Sequence, residues 1–376
     1  MATLKVQEFL RSMPTSNLNL SAADSLELLK AKYAIDYKQH SLFPNLWLLK
    51  YNQIESNFNE EIVRECRGLI LNAADDWGVV ACPFFKFGNL GESYNKDIDW
   101  KTAKVQEKLD GSLCSVWWYH GWNVSTSGCP DGMNQINDTD WSFGKLFWDT
   151  FNKQGLYTNY YTKNHTYMFE LTSPFNRVVV DHKTSKVTLI GIRNNDTLKE
   201  VDVDSVWGHF LVNDTKAYVV KSYPITNLDD CIVAANKLNP LEHEGFVVVD
   251  ANFNRVKIKS PAYVALHHIK DSSSLSKMAE VVRLGEVEEF SIALEGYPEI
   301  KVKFLQLVEK YKEIVDICNK TFAEIKDIEN QKEFALKACQ TPYSSVLFFM
   351  RKTGKSPQAI IKDMTGPSYL RLIGVK

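Results

Sequence analysis

Glu107-Lys108-Leu109-Asp110-Gly111-Ser112, running directly into Leu113-Cys-Ser-Val-Trp-Trp118, is the stretch on which the reading of the fold turns. A strand-like run ends on a lysine, a short polar break follows, and an apolar strand begins, so Lys108 sits where a side chain is held rigidly. Asp-Gly between apolar runs also suits a hairpin turn. The pattern Lys-x-Asp-Gly arises by chance in roughly one chain of this length in ten. Its surroundings must therefore decide.

Outward from this stretch, between about 62 and 260, short runs rich in Val, Ile, Phe and Trp recur between turn residues: Gly68-Leu-Ile-Leu, Gly78-Val-Val-Ala, Tyr167-Met-Phe-Glu-Leu, Val187-Thr-Leu-Ile-Gly-Ile, Gly245-Phe-Val-Val-Val and Val256-Lys-Ile-Lys. They are strand signals, irregularly interleaved with helix patterns such as Trp141 to Asn152, and they point to antiparallel α+β rather than repeated βαβ. Before them, Ser21 opens a helix-forming stretch as an N-cap. After them, Ile300, Phe304, Leu307, Val308, Tyr311, Ile314, Val315, Cys318, Phe322 and Ile325 fall on one helical face, which reads as core. The expected organisation is an N-terminal extension over 1–60 packing on the core, a central domain over 61–262, and a helical domain over 263–376.

Composition excludes several classes. At 376 residues with 44% apolar and 12% aromatic content, the chain is long and apolar enough for two or three packed domains. Seven cysteines at scattered spacing, with no Cys-x-x-Cys pair, suit neither a zinc cluster nor a disulfide framework. The N-terminus lacks a signal-peptide core, and no apolar run is long enough to span a bilayer, so a cytoplasmic protein is expected. The net charge of −2 does not announce a nucleic-acid binder. Only the last segment is locally basic, with Arg351, Lys352, Lys355, Lys362, Arg371 and Lys376 against Asp363; it reads as solvated surface or as a phosphate-contacting one.

Charges inside strands cost free energy unless they are paired or used. Here Glu65-Cys66-Arg67-Gly68 precedes Leu-Ile-Leu, and Glu170 sits between Phe169 and Leu171. Arg193 ends Leu-Ile-Gly-Ile, Glu244-Gly245 opens Phe-Val-Val-Val, and Lys257 and Lys259 point to one face of one strand. Taken singly, each reads as an ordinary strand residue, and Glu170 with Arg177 as a structural ion pair. Together they bring a candidate nucleophile, cations and carboxylates to one sheet-rich domain, a set suited to nucleotide phosphate chemistry.

In order and wording these segments resemble the covalent nucleotidyltransferases, most closely the ATP-dependent RNA ligases of the bacteriophage tRNA-repair type. The resemblance runs from Tyr51-Asn52 through Glu65-Cys-Arg-Gly, Lys86-Phe-Gly-Asn, Lys108-Leu-Asp-Gly-Ser, Phe169-Glu-Leu-Thr-Ser-Pro-Phe-Asn-Arg177, Ile190-Gly-Ile-Arg193, Glu244-Gly-Phe-Val and Lys257-Ile-Lys-Ser to Tyr263-Val-Ala-Leu-His267, more than half of the chain. It implies an α+β fold: an antiparallel-sheet nucleotidyltransferase domain, ATP-grasp-like in its ligase architecture, followed by a smaller all-α C-terminal domain.

The resemblance further implies that neutral Lys108 attacks the α-phosphorus of ATP, that AMP passes to an RNA 5′-phosphate, and that a 3′-hydroxyl displaces AMP to seal the strand. An unperturbed lysine has a pKa near ~10.4; Arg67, Lys257, Lys259 and bound Mg²⁺ would disfavour its charged form. The implied ATP-binding set is Arg67, Lys86, Glu107, Lys108, Asp110, Gly111, Glu170, Glu244, Gly245, Lys257 and Lys259. Glu170, Glu244 and Asp110 would hold Mg²⁺, with Mn²⁺ able to substitute. The implied partner is RNA, single-stranded or a nicked tRNA anticodon loop. No Gly-x-x-x-x-Gly-Lys-Ser/Thr loop occurs, so end-healing by kinase and phosphatase is expected from a separate protein. Two departures stand out: the family's Lys-Phe-Phe-Asn reads Lys86-Phe87-Gly88-Asn89, and a Lys-Gly reads Ser127-Gly128.

A DNA ligase or mRNA capping enzyme shares the same core but appends a small β-barrel after the Lys257-Ile-Lys strand; here that region reads as helix. A catalytically silent RNA-binding relative would have no need of an intact nucleophile motif.

Overall fold

The computed structural model describes residues 2–13, 21–137, 139–203, 218–239, 242–261, 263–264, 267, 274–293 and 298–374. They form two compact units, residues 1–52 with 56–263, and residues 53–55 with 264–376.

The first unit carries three antiparallel sheets. In chain order its helices are α1 (Lys5–Arg11), α2 (Ala22–Tyr33), α3 (Glu61–Glu65), α4 (Phe143–Lys153) and α5 (Leu228–Asn236). The strands are β1 (Ile35–Gln39), β2 (Leu46–Tyr51), β3 (Arg67–Asn72), β4 (Gly78–Ala81), β5 (Lys104–Lys108), β6 (Ser112–Trp118), β7 (Trp122–Thr126), β8 (His165–Thr172), β9 (Lys186–Asn194), β10 (Glu200–Val201), β11 (Ser222–Tyr223), β12 (Gly245–Val249) and β13 (Arg255–Lys259). The sheet orders are β1-β2-β3-β4, β10-β9-β8-β6-β7 and β11-β5-β12-β13.

Each sheet buries one face under a helix. The aromatic side of α4 packs on the five-stranded sheet, with Phe147 and Phe151 ring centroids 5.5 and 5.9 Å from Phe169. The first sheet is covered by α1 and α2, the third by α5. Ser21 caps α2 by accepting from the Asp24 amide, as its sequence position predicts. The first 60 residues are more than an extension: they supply β1 and β2, and β2 pairs with β3 across residue 60.

The regular elements among the second unit's described residues are all helices: α6 (Ser274–Leu284), α7 (Val287–Ala293), α8 (Pro298–Ile325), α9 (Gln331–Ala338), α10 (Ser344–Thr353), α11 (Pro357–Asp363) and α12 (Gly366–Leu372). The stripe of α8 is core, with Phe304, Leu307, Val308, Ile314, Val315, Cys318 and Ile325 buried. The Ile300 side chain, Ala265, Leu266 and Lys376 lie outside the described residues. In the basic C-terminal run, Lys355 pairs with Asp363 and Arg351 stacks on Phe334. Among the described residues no helix is long and apolar enough to cross a membrane.

Candidate active site

Leu109-Asp110-Gly111 is not a hairpin. It joins β5 of the third sheet to β6 of the second, so Lys108 stands where two sheets meet. Three adjacent strands align on it: Gly245 of β12 pairs with Lys108 of β5 on one side and with Lys259 of β13 on the other. A β-carbon at position 245 would lie 2.4 Å from the Ile258 carbonyl oxygen, so the close strand approach requires glycine there. Across that side-chain-free centre both lysines converge on Glu244. The Lys108 Nζ is 2.5 Å from Glu244 Oε2, and the Lys259 Nζ is 3.2 Å from Oε1. With a side chain only 5% exposed, Glu244 is a buried carboxylate shared by two ammonium groups.

Lys108 opens onto a cavity of about 510 Å³, within the range of about 300–1,000 Å³ usual for small-ligand sites. Arg67, Glu107, Gly111, Glu170 and Lys257 join Lys108 in its wall, together with Lys50, Phe87, Gln106 and Arg255. The Arg67 guanidinium lies 5.3 Å from the Phe87 ring centroid, as does the Lys257 ammonium. Arg67 Nη1 is buried with no hydrogen-bond partner among the described residues; an orphaned donor of this kind is costly unless a ligand meets it. Glu170, on β8, is pushed up to about 7 by burial, with Lys108 opposing the shift. His243 Nδ1 lies 3.3 Å from Glu107 Oε1.

Asp110 faces away from this cavity. Its Oδ2 accepts from the Val179 and Val180 amides at 2.8 and 2.7 Å, and its Oδ1 accepts from the Tyr263 hydroxyl at 2.7 Å. The Asp110 side chain thereby ties the loop after Lys108 to two distant segments.

Compared with known proteins, residues 65–263, just over half of the chain, match the family described as RNA ligase. The chain belongs to the RNA ligase family. It is 26% identical over 354 residues to an RNA ligase of Rhodothermus phage RM378, covering 76% of this chain and 78% of that one. It is also 31% identical over 289 residues to a protein described as a bifunctional polynucleotide kinase/RNA ligase of Autographa californica nuclear polyhedrosis virus. That alignment covers 71% of this chain but spans only 39% of the viral protein. Among solved structures, an RNA ligase of Naegleria gruberi with ATP and manganese aligns at 17% identity and a TM-score of 0.34, over 44% of this chain and 51% of that one.

Within this RNA ligase family chain, several expected residues have different surroundings from those anticipated. Lys86 does not line the cavity; its ammonium rests over the Phe58 and Tyr51 rings at 4.7 and 5.3 Å. Phe87 faces the site instead. At position 88 a β-carbon would meet the ends of two side chains, Glu92 Oε2 at 2.2 Å and Asn95 Oδ1 at 2.6 Å, so the family's aromatic there would have to displace them. Expected as metal holders, Glu244 and Asp110 have their oxygens engaged by lysines and by protein donors respectively. Arg177 pairs with Asp181 at 3.6 Å, not with Glu170. Arg193 is buried beneath the site, where Glu200 bridges it to Arg255 at 2.7 Å each. Lys50, Phe87 and Arg255 were not anticipated. The available signal for Lys50 was a lone charge in the apolar strand Leu46-Trp-Leu-Leu-Lys50-Tyr51.

Proposed function

We propose that this chain seals RNA ends by three nucleotidyl transfers that begin on Lys108. One observation carries the reading: Lys108 opens onto a nucleotide-sized cavity beside Arg67, whose buried Nη1 awaits an acceptor. In the first transfer the Lys108 nitrogen attacks the α-phosphorus of ATP. The N–P bond forms, the bond to the bridging oxygen breaks, and pyrophosphate leaves with the electron pair. Lys108 must first lose its proton, and Glu244 is the carboxylate in contact with it. An RNA 5′-phosphate oxygen then displaces Lys108 from AMP, and a 3′-hydroxyl displaces AMP to close the strand. Arg67 and Lys257 offset charge on the in-line phosphoryl groups.

The residues suit a divalent cation of the Mg²⁺ type, with Mn²⁺ in its place. Glu170 lines the cavity, and Mg²⁺ needs only one or two carboxylates beside phosphate oxygens and water. Among the described residues no three His, Cys, Asp or Glu side chains gather as ligands. When bound, such an ion neutralises phosphate charge. Residues up to 263 carry this chemistry, and the helical unit biases the enzyme toward RNA such as a broken tRNA anticodon loop. Ends are prepared by a separate kinase and phosphatase, in the host cytoplasm where the chain is viral.

Incubation with α-radiolabelled ATP and Mg²⁺ should leave protein-bound label that withstands alkali but is released by acid, as an N–P bond requires, and that RNA with a 5′-phosphate removes. Unlabelled wild-type protein, or Lys108→Ala labelled as wild type, overturns the reading.

A further inference from the structure

Lys50 is an exposed lysine in an otherwise largely buried strand, and its side chain reaches the cavity that contains Lys108. It pairs in register with Arg67 of β3, at an irregularity between Leu49 and Lys50. Like charges directly opposite each other on an antiparallel pair repel, and bulges re-aim side chains next to active sites. Of the other cations nearby, Lys108 and Lys259 share Glu244, Arg255 is bound to Glu200, and Lys257 rests over the Phe87 ring. Among the described residues neither Lys50 nor Arg67 is in ion-pair contact with a carboxylate, although Arg67 lies close enough to Glu170 for its charge to be felt. Two adjacent cations on a cavity wall without such a contact call for an anion.

A second observation locates that anion. The Ser127-Gly128 turn, where the family's Lys-Gly is absent, lies against β2 and β3. A β-carbon on Gly68 would be 2.9 Å from the Ser127 Cα, and one on Gly128 would be 3.3 Å from the Lys50 Nζ. The Lys50 ammonium therefore lies over the Ser127-Gly128 turn, on the side to which a side chain at 128 would point.

We propose that Lys50 is the phosphate-binding cation of this site, supplied by β2 in place of residue 127, and that it grips the outer phosphates of the incoming nucleoside triphosphate. The inference rests on the adenylyl-transfer reading above. Lys108, 19% exposed, and Lys50, exposed, line the same cavity, so a triphosphate with its α-phosphorus at the more enclosed lysine has a cation for its outer phosphates at the more open one. The RNA 5′-phosphate has the same chemistry, and the separate steps distinguish the two.

The test measures three steps in the 376-residue chain: lysyl-AMP formation against ATP concentration, transfer of AMP to 5′-phosphorylated RNA, and sealing of pre-adenylated RNA. Lys50→Met should raise the ATP KM for the first step about tenfold or more, the loss expected for one charge-assisted contact. Lys50→Arg should retain most of the affinity, and adding Ser127→Lys to Lys50→Met should recover it. A purely structural role would not respond to moving the charge between strands. Wild-type KM in Lys50→Met, or a defect confined to AMP transfer or sealing, overturns the proposal while labelled wild-type protein leaves the ligase reading intact. A wild-type chain that takes no label overturns both.

Discussion

Lys108 and Glu244 form the closest charged contact of the site, 2.5 Å between Nζ and Oε2, and the same carboxylate also holds Lys259. The carboxylate is buried, so removing it leaves two ammonium groups facing each other without compensation. Glu244→Gln should cost about 3 kcal/mol of stability, the low end for breaking a buried pair, and should slow lysyl-AMP formation about a hundredfold or more. Urea unfolding and single-turnover labelling measure the two effects; a variant that labels at the wild-type rate removes Glu244 from the chemistry.

Glu170 links the site to pH. Burial lifts its carboxyl from 4.5 to about 7, so the folded protein keeps a proton that the unfolded chain gives up. The sign follows: this group favours folding below about pH 4.5, and its contribution is lost as pH rises to about 7. Glu170→Gln should melt at higher temperature than wild type at pH 8, by about 1–3 kcal/mol in stability, and show a flatter melting profile between pH 5 and pH 7. Equal shifts at every pH would contradict the assignment.

The Asp110 side chain ties down the loop after Lys108, its two oxygens accepting from the Val179 and Val180 amides and the Tyr263 hydroxyl. Tyr263→Phe removes one hydrogen bond to a buried carboxylate and should destabilise by about 1.5–3 kcal/mol. Asp110→Asn should lower lysyl-AMP formation by misplacing Lys108, and raising Mn²⁺ should not restore it. Recovery at high Mn²⁺ would instead identify Asp110 as a metal ligand.

The buried Glu65 side chain anchors α1, accepting from the Lys5 and Val6 amides at 2.9 Å each. Glu65→Ala should accelerate hydrogen exchange at both amides about tenfold or more. Unchanged protection there would show that α1 is held by its apolar face alone.

The strands around 67–72, 112–118, 165–172 and 245–259 were legible because apolar runs between turn residues carry a local signal. Lys108 was legible from its motif, and the α8 stripe from its spacing. Which oxygens of Glu244 and Asp110 remain available was not, because their partners are lysines from two strands, main-chain amides and a tyrosine hydroxyl far along the sequence. Neither was the turning of Lys86 onto Phe58 and Tyr51, since neighbours along a chain share no common direction once it leaves regular structure. Lys50 was missed because β2 lies in a stretch taken for an extension, and its significance appears only across the strand pair with Arg67.

The row Lys108–Gly245–Lys259 also sets an order of events during synthesis. A ribosome releases the nucleophile long before the hairpin that carries its carboxylate, and no local segment substitutes for that hairpin. A nascent or truncated chain ending before Glu244 therefore holds Lys108 without its electrostatic partner, and the row of three strands closes only when β13 has paired with β12.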